Sequence, residues 1–452
     1  MKNILICGAG RSATDLIDYM LKHAEEHDWN VTVGDISVEA AATKIDGHPR
    51  GKAVFFDSND EEIMQRYIKD ADIVISVLPP GMHAAVAKVA VEYNAHVVTA
   101  SYASSEMLEL HEKARNRGLT LLNELGADPG IDHMNGMRSV DRIKAKGGEL
   151  LAFTSFCGSL VTPESNDNPW GYKFTWSPMN VITAGDGGAR YYQNNQLRCV
   201  PYHRLFADPH EVNLPGFGKF EAYANRDSLP YRKKYHLEDI PTMIRATLRF
   251  PGYCEGWNAM IQLGLTANNY RIEGSENLTY RQWISSYLPR GNSDTLEEKL
   301  AQCINTAQKS ELFQRILWTD LLTDRPITRV NGTPAEILLD LLLDKWEFKQ
   351  GDTDMLVFYD RQEYKIGDQF YEHLSYMVTK GQDHAHTAIS RTVGLPAAIG
   401  AKLILNGEIK SRGVVFPLLK EVYEPILNEL DALGIGFTSH DNRIEKSQLL
   451  YS

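Results

Sequence analysis

Residues 123–133 read NELGADPGIDH, so Glu124, Asp128, Asp132 and His133 bring four groups able to carry charge into ten residues. Three chemistries suit such a cluster. A carboxylate on a rigid turn can take and return protons. Carboxylates and an imidazole can hold a metal. A polar turn can simply start a helix. His133 has no second ligand at helical or strand spacing, and His384 and His386 of DHAH are more in keeping with a surface segment, so no metal is expected. Pro129 and Gly130 set a sharp turn. Asp128 is then the acid–base candidate, and Asp132 and His133 are expected to cap the following helix. Cys157 is a second reactive group, but no histidine neighbours it in sequence, and an inert buried thiol is expected.

A second constellation opens the chain. Gly8-Ala9-Gly10-Arg11-Ser12-Ala13 fits G-x-G-x-x-(G/A) directly after an apolar run. The first glycine allows a tight turn, the second lets backbone approach a pyrophosphate, and a small third residue lets the helix pack close to the strand. The helix N-terminus adds N–H donors for the phosphates. Asp35 ends the next apolar run, 22 residues after Ala13, where a carboxylate accepts from the adenine-ribose hydroxyls and repels a 2′-phosphate. A dinucleotide is expected, with NAD favoured over NADP.

These residues need a scaffold. KNILIC (2–7), NVTVGD (30–35), AVFFD (53–57), DIVISVLP (72–79), AHVVTAS (95–101) and LTLLNE (119–124) read as six strands alternating with helical spacings, the pattern of a doubly wound parallel sheet. Ligands bind beyond the carboxyl ends of such strands. Asp57, Ser58, Val77, Ala100, Ser101 and Tyr102 fall there, as do Ala127, Asp128 and Pro129 after the sixth strand. Past residue 135 the pattern changes to aromatic-rich strand pieces, then to helical stretches over 278–346, strands at 354–364 and 369–379, and a helical tail. The expected domains are a Rossmann-type unit of 1–130 with 391–452, an α+β substrate and dimerisation domain of 131–275 with 350–390, and a helical subdomain of 276–349 inserted in it.

Composition narrows the class. The chain has 452 residues, 43% of them apolar, and a net charge of −12, which argues against nucleic acid as partner. No stretch reads as a membrane span, and MKNILICGAG reads as a first strand and not a leader. Five scattered cysteines fit a reducing, cytoplasmic setting.

Longer stretches carry a resemblance. FCGSLVTPESNDNPWGYKFTWSP (156–178), YANRDS (223–228), RATLRFPGYCE (245–255) and the run from Arg391 to Leu427, with TASYAS (99–104) and ELGADPGIDH, resemble the glutamate-forming saccharopine dehydrogenases. Ser159, Val161 and Trp170 stand where that family usually has glycine, proline and leucine, and Gly34-Asp35-Ile36 replaces an arginine-bearing turn of its NADPH-using fungal members. The resemblance implies oxidation of a secondary amine joining lysine and 2-oxoglutarate skeletons, with hydrolysis to glutamate and 2-aminoadipate semialdehyde. It implies that Asp128 and Tyr102 serve the chemistry, and that Ser101, Cys157, Arg226, Thr247, Leu248 and Arg249 line the substrate, the arginines holding carboxylates. A homodimer is implied as well. Two other readings compete: an oxidoreductase of the same family acting on a carboxylated polyamine, and a non-catalytic NAD-binding sensor.

Overall fold

The apolar runs of the first 125 residues form parallel strands, those in the middle of the sheet buried on both faces. β1 (Lys2–Cys7), β2 (Trp29–Asp35), β3 (Gly51–Phe55), β4 (Ile73–Ser76), β5 (His96–Thr99) and β6 (Thr120–Leu122) are the six strands expected, β3 lying two residues earlier than its sequence suggested. In β4 all four residues are buried. The order across the sheet is β6-β5-β4-β1-β2-β3, with a seventh strand, Gly413–Val415, beyond β6. Sequence reading placed that strand in a helical tail; three residues after a glycine turn are too short to show a period. The order reverses between β1 and β4, which opens a crevice at their carboxyl ends.

The computed structural model describes residues 1–290 and 295–449; residues 291–294, within the expected helical insertion, and 450–452, at the end of the expected first domain, lie outside the described residues. Two units divide the chain, residues 1–150 with 362–446 and residues 151–361 with the last few from 447. The expected boundary at 130 therefore falls at 150, because helix Ile131–Ala145 belongs with the parallel sheet, and residues 362–390 join the first unit. In that unit strand Gln369–Lys380 pairs antiparallel with Thr438–Ile444, a further strand where a helical tail was expected. Helix Ala388–Leu405 lies against helix Thr14–Lys22: a Cβ added at Gly394 would sit 2.8 Å from the Leu16 amide nitrogen and 3.2 Å from the Ser12 carbonyl oxygen. Ala388–Leu405 has the length and apolarity to cross a membrane, yet 78% of it is buried inside the protein, as in a core helix.

In the second unit, strand Thr242–Arg249 pairs parallel with Glu149–Val161 and antiparallel with Gly218–Ala224, which pairs in turn with His210–Leu214. A hairpin, Ala189–Gln193 with Gln196–Val200, attaches at Met243. Its core is aromatic. Trp170 packs edge-on against Trp257 and Trp346 at 6.2 and 5.4 Å, and donates its indole N–H to the Arg315 carbonyl at 3.1 Å. The departure from leucine at Trp170 is thus a matter of core packing. The helices Tyr280–Ser285, Leu296–Cys303 and Pro334–Leu343 each start with a threonine capping box, Thr333-Pro334 as expected. They bury Trp283, Leu300 and Leu338 in the same core as Trp170, so they are part of this unit and not a separate subdomain.

Candidate active site

The glycine loop after β1 is built to receive a phosphate chain. Gly8 has φ +106, and a Cβ there would lie 3.1 Å from the Val77 carbonyl oxygen, so the turn requires glycine. A Cβ at Gly10 would meet nothing within 4 Å, an open approach for a ligand to the backbone. Arg11–Ala13 form a single tight turn before helix Thr14–Lys22, and Ala13 is buried against the sheet. Arg11 is exposed at the mouth of the loop, with Ser12 half-buried beside it. Asp35 accepts from the Ala9 amide at 2.7 Å through one oxygen and from the Ser37 amide at 2.8 Å through the other. Each oxygen keeps a lone pair for a ribose hydroxyl. Gly8, Gly10 and Ala13 follow β1, and Asp35 at the end of β2 reaches the same loop through the Ala9 amide, an arrangement of backbone and carboxylate groups of the kind a dinucleotide needs.

Across the carboxyl ends of β4, β5 and β6 lies a second group. The Tyr102 hydroxyl donates to Asp128 Oδ1 at 2.9 Å, and both side chains are half-buried. Asp128 sits on a turn closed by its own backbone: the Gly126 amide donates to the Pro129 carbonyl at 2.9 Å, the Asp132 amide to the Ala127 carbonyl at 3.2 Å. Gly130 has φ +147, and a Cβ there would fall 2.0 Å from the Gly126 carbonyl oxygen, so no other residue fits. A Cβ at Gly126 would in turn touch the Ala100 carbonyl oxygen at 3.0 Å, which seats the turn on the end of β5. Ser101 is held through its amide by the Thr99 hydroxyl at 3.2 Å and through its carbonyl by the Glu124 amide at 3.1 Å.

Several expectations change. Helix Ile131–Ala145 has Gly130 at its N-cap and no side-chain cap bond, so Asp132 and His133 do not cap it. Asp132 Oδ1 instead accepts from the Gly130 amide at 2.7 Å, while His133 lies 3.3 Å from Asp132 through Nδ1 and 3.2 Å from Glu124 through Nε2. All three side chains are buried. They tie the start of the turn to its end, with Glu124 at φ +58, a conformation costing roughly 1–3 kcal/mol that the turn must repay. Asp57 accepts from the Asn59 amide at 2.9 Å within its own loop, and the Ser58 hydroxyl reaches across to the Met82 sulfur, in the loop after β4, at 3.1 Å. Sequence reading also passed over His83. It is buried, with Nδ1 2.8 Å from the Ser76 hydroxyl and Nε2 2.8 Å from that of Ser101. Burial lowers its pKa to about 4. The available signal was a polar Ser76 ending an apolar strand, followed by histidine in PPGMH.

The remaining candidates lie in the second unit. Arg249 is buried, its guanidinium 5.0 Å from the Tyr172 ring centre, 5.2 Å from that of Tyr253 and 5.7 Å from that of Tyr223. It donates to the Leu248 carbonyl at 2.8 Å, and no carboxylate pairs with it among the described residues. Thr247 is in register with Cys157 on one side and Tyr223 on the other; Cys157 and Thr247 are half-buried and Leu248 is buried. Arg226 is exposed, in a loop at φ +53. Arg249 is in register with Glu221 within the strand Gly218–Ala224, and Arg226 lies in the loop just past the end of that strand.

Comparison with known proteins agrees with this layout. Residues 4–122 match the family described as saccharopine dehydrogenase NADP binding domain, and residues 126–435 the saccharopine dehydrogenase C-terminal domain. The chain is 33% identical over 446 residues to saccharopine dehydrogenase [NADP(+), L-glutamate-forming] of Saccharomyces cerevisiae, covering 96% of this chain and 98% of that protein. It is 31% identical to the mitochondrial alpha-aminoadipic semialdehyde synthase of Mus musculus, covering 97% of this chain but 48% of that longer protein. The solved apo structure of the L-Glu-forming saccharopine dehydrogenase from Saccharomyces cerevisiae superposes with a TM-score of 0.88 at 30% identity, covering 98% of this chain and all of that one.

Proposed function

The chain belongs to the saccharopine dehydrogenase family, oxidoreductases acting on the CH–NH group of donors, and from that premise we propose that it oxidises saccharopine with NAD to glutamate and 2-aminoadipate 6-semialdehyde. The hydrogen bond from Tyr102 to Asp128, on a turn that requires glycine at position 130, is the observation that carries the proposal. The substrate amine is an ammonium in water and must lose a proton before the neighbouring C–H bond can break. Asp128 takes that proton, and Tyr102 keeps the carboxylate aimed. A bound dinucleotide supplies the acceptor for the two electrons and the hydrogen. Asp128 then passes its proton to solvent, takes one from the water that adds to the carbon of the C=N bond, and returns it to nitrogen; the C–N bond cleaves as the new hydroxyl loses its proton to solvent and becomes the aldehyde oxygen. Arg249, a guanidinium held among tyrosines, suits a substrate carboxylate, since its cross-strand neighbour Glu221 spends its oxygens on the Gly252 and Cys254 amides.

The fungal relative is named for NADP(+), and the matched domain for NADP binding. Against those names, the proposal of NAD rests on Asp35. Its carboxylate stands at the end of β2 with both oxygens anchored, where the 2′-phosphate of NADP would have to approach a like charge. The test is formation of reduced dinucleotide and of glutamate by purified protein offered saccharopine and other secondary amines, each with NAD and with NADP. Saccharopine with NAD should give the highest kcat/KM. Turnover of a carboxylated polyamine in preference to saccharopine would refute the substrate, and preference for NADP would refute the cofactor.

A further inference from the structure

We propose that His83 is a positioning residue that sets the direction of the Ser101 hydroxyl, making it a donor towards ligand oxygen. The inference rests on the reading of Tyr102 and Asp128 as the catalytic pair, because Ser101 immediately precedes Tyr102.

The geometry is a chain of three side chains. The Ser76 hydroxyl, fully buried at the end of β4, lies 2.8 Å from His83 Nδ1, and His83 Nε2 lies 2.8 Å from the Ser101 hydroxyl at the end of β5. The backbone of Ser101 is already fixed on both sides, by Thr99 and by the Glu124 amide. What remains to set is the rotor of its hydroxyl, and the group within reach of that rotor is the imidazole. His83 is only 4% exposed, which favours the neutral ring. A neutral imidazole has one donor and one acceptor, so a chain through it has a direction. With the proton on Nε2, Ser76 donates to Nδ1, the ring donates to Ser101, and the Ser101 O–H turns outward as a donor. With the proton on Nδ1, Ser101 must spend its proton on the ring. Ser101 is half-exposed at the mouth of the crevice, and what both ligands of this reaction bring there is oxygen: the carboxamide of a nicotinamide and the carboxylates of the substrate. The first arrangement serves them and the second does not, so we assign the proton to Nε2.

Variants of different length separate this role from a structural one. The amide of His83→Asn ends near the Nδ1 position and reaches Ser76 alone, whereas that of His83→Gln extends to the Nε2 position and can donate to Ser101. Losing one aimed hydrogen bond should lower kcat with saccharopine about tenfold in His83→Asn, with most of it recovered in His83→Gln and the dinucleotide Kd changed by less than about threefold. Ser101→Ala should cost the same, and the double variant His83→Asn with Ser101→Ala no more than either. Equal losses in Asn and Gln, additive losses in the double variant, or full turnover in His83→Asn would overturn the proposal. Nitrogen-15 spectra of the histidine rings give a readout free of any substrate. Nε2 of His83 should be the protonated nitrogen, and its resonance should move in Ser101→Ala. A proton found on Nδ1, or a spectrum indifferent to Ser101→Ala, refutes the assignment even if an activity assay succeeds. A protein that shows the expected spectrum but leaves saccharopine unoxidised refutes the proposed substrate and not the role of His83.

Discussion

Changing Asp35 to Asn removes a charge and keeps one acceptor oxygen, enough for the Ala9 amide that the carboxylate holds at 2.7 Å, at the loss of the 2.8 Å bond from the Ser37 amide, a loss common to both dinucleotides. The size of the effect follows from Coulomb's law. A ribose 2′-phosphate carries nearly two negative charges, and at roughly 5 Å from Asp35 it would be repelled by about 1.5 kcal/mol in a fully watery medium and about 5–6 kcal/mol at an effective dielectric of 20. Asp35 is half-buried at the surface end of a strand, and salt screens part of the field. A value of about 2–3 kcal/mol is therefore reasonable, or about 30- to 150-fold in relative affinity. Asp35→Asn should raise kcat/KM for NADP relative to NAD by that factor, chiefly through KM. Asp35→Ala should also loosen the glycine loop and so weaken both dinucleotides. Initial rates with saccharopine at fixed ionic strength give the ratio, and quenching of tryptophan fluorescence gives the two Kd values. An unmodified protein that prefers NADP, or an Asn variant whose ratio stays within about twofold of the original, contradicts the electrostatic reasoning.

Four further outcomes are expected. Asp128→Asn keeps an oxygen for the Tyr102 hydroxyl yet cannot carry the proton, so kcat should fall about 10²-fold or more while dinucleotide Kd is unchanged; normal turnover, or equal loss of cofactor affinity, would make GADPGIDH structural only. Arg249→Met leaves the tyrosine cage filled but uncharged, and KM for saccharopine should rise about tenfold or more at nearly constant dinucleotide Kd; an unchanged KM removes Arg249 from substrate binding. His83 stays neutral down to about pH 4 in the folded protein, whereas a solvated imidazole protonates near 6.5, so the unfolded chain binds more protons in between. Its contribution is whole above pH 6.5 and is lost as pH falls towards 4, by at most about 3 kcal/mol, and denaturant midpoints across that window should show a shallower slope in His83→Gln. Gly394→Ala would push a methyl to within 2.8 Å of the Leu16 amide nitrogen, costing about 1–3 kcal/mol of stability and weakening dinucleotide binding through the displaced helix, with calorimetry as the check.

The parallel sheet was legible because apolar runs in the middle of a sheet leave one signal, and because the turn after β1 needs a glycine at Gly8, whose φ is positive and whose Cβ would meet Val77. The turn that carries Asp128 was legible for a similar reason: position 130 leaves room for no side chain, so a glycine there is a mark the sequence shows. Gly413–Val415 was not, since its strand character comes from pairing with β6 and not from its own three residues. His83 was hidden because a histidine among apolar residues reads as core, and its two serine partners are 7 and 18 positions away. Asp132 and His133 misled because residues favoured at helix starts can also bond to each other, and here a buried Glu124 reached them first.

The first unit is drawn from both ends of the chain, and that has a consequence for how the protein is made. A ribosome delivers β1 to β6 early, but helix Ala388–Leu405 and strand Gly413–Val415 emerge only after the whole second unit has been synthesised. Until then β6 is an open edge, and the helix behind the glycine loop lacks the neighbour that Gly394 admits so closely. A nascent chain halted anywhere before residue 415 therefore presents a sheet edge and apolar helix faces to chaperones and proteases, and has no finished cradle to be stabilised by cofactor.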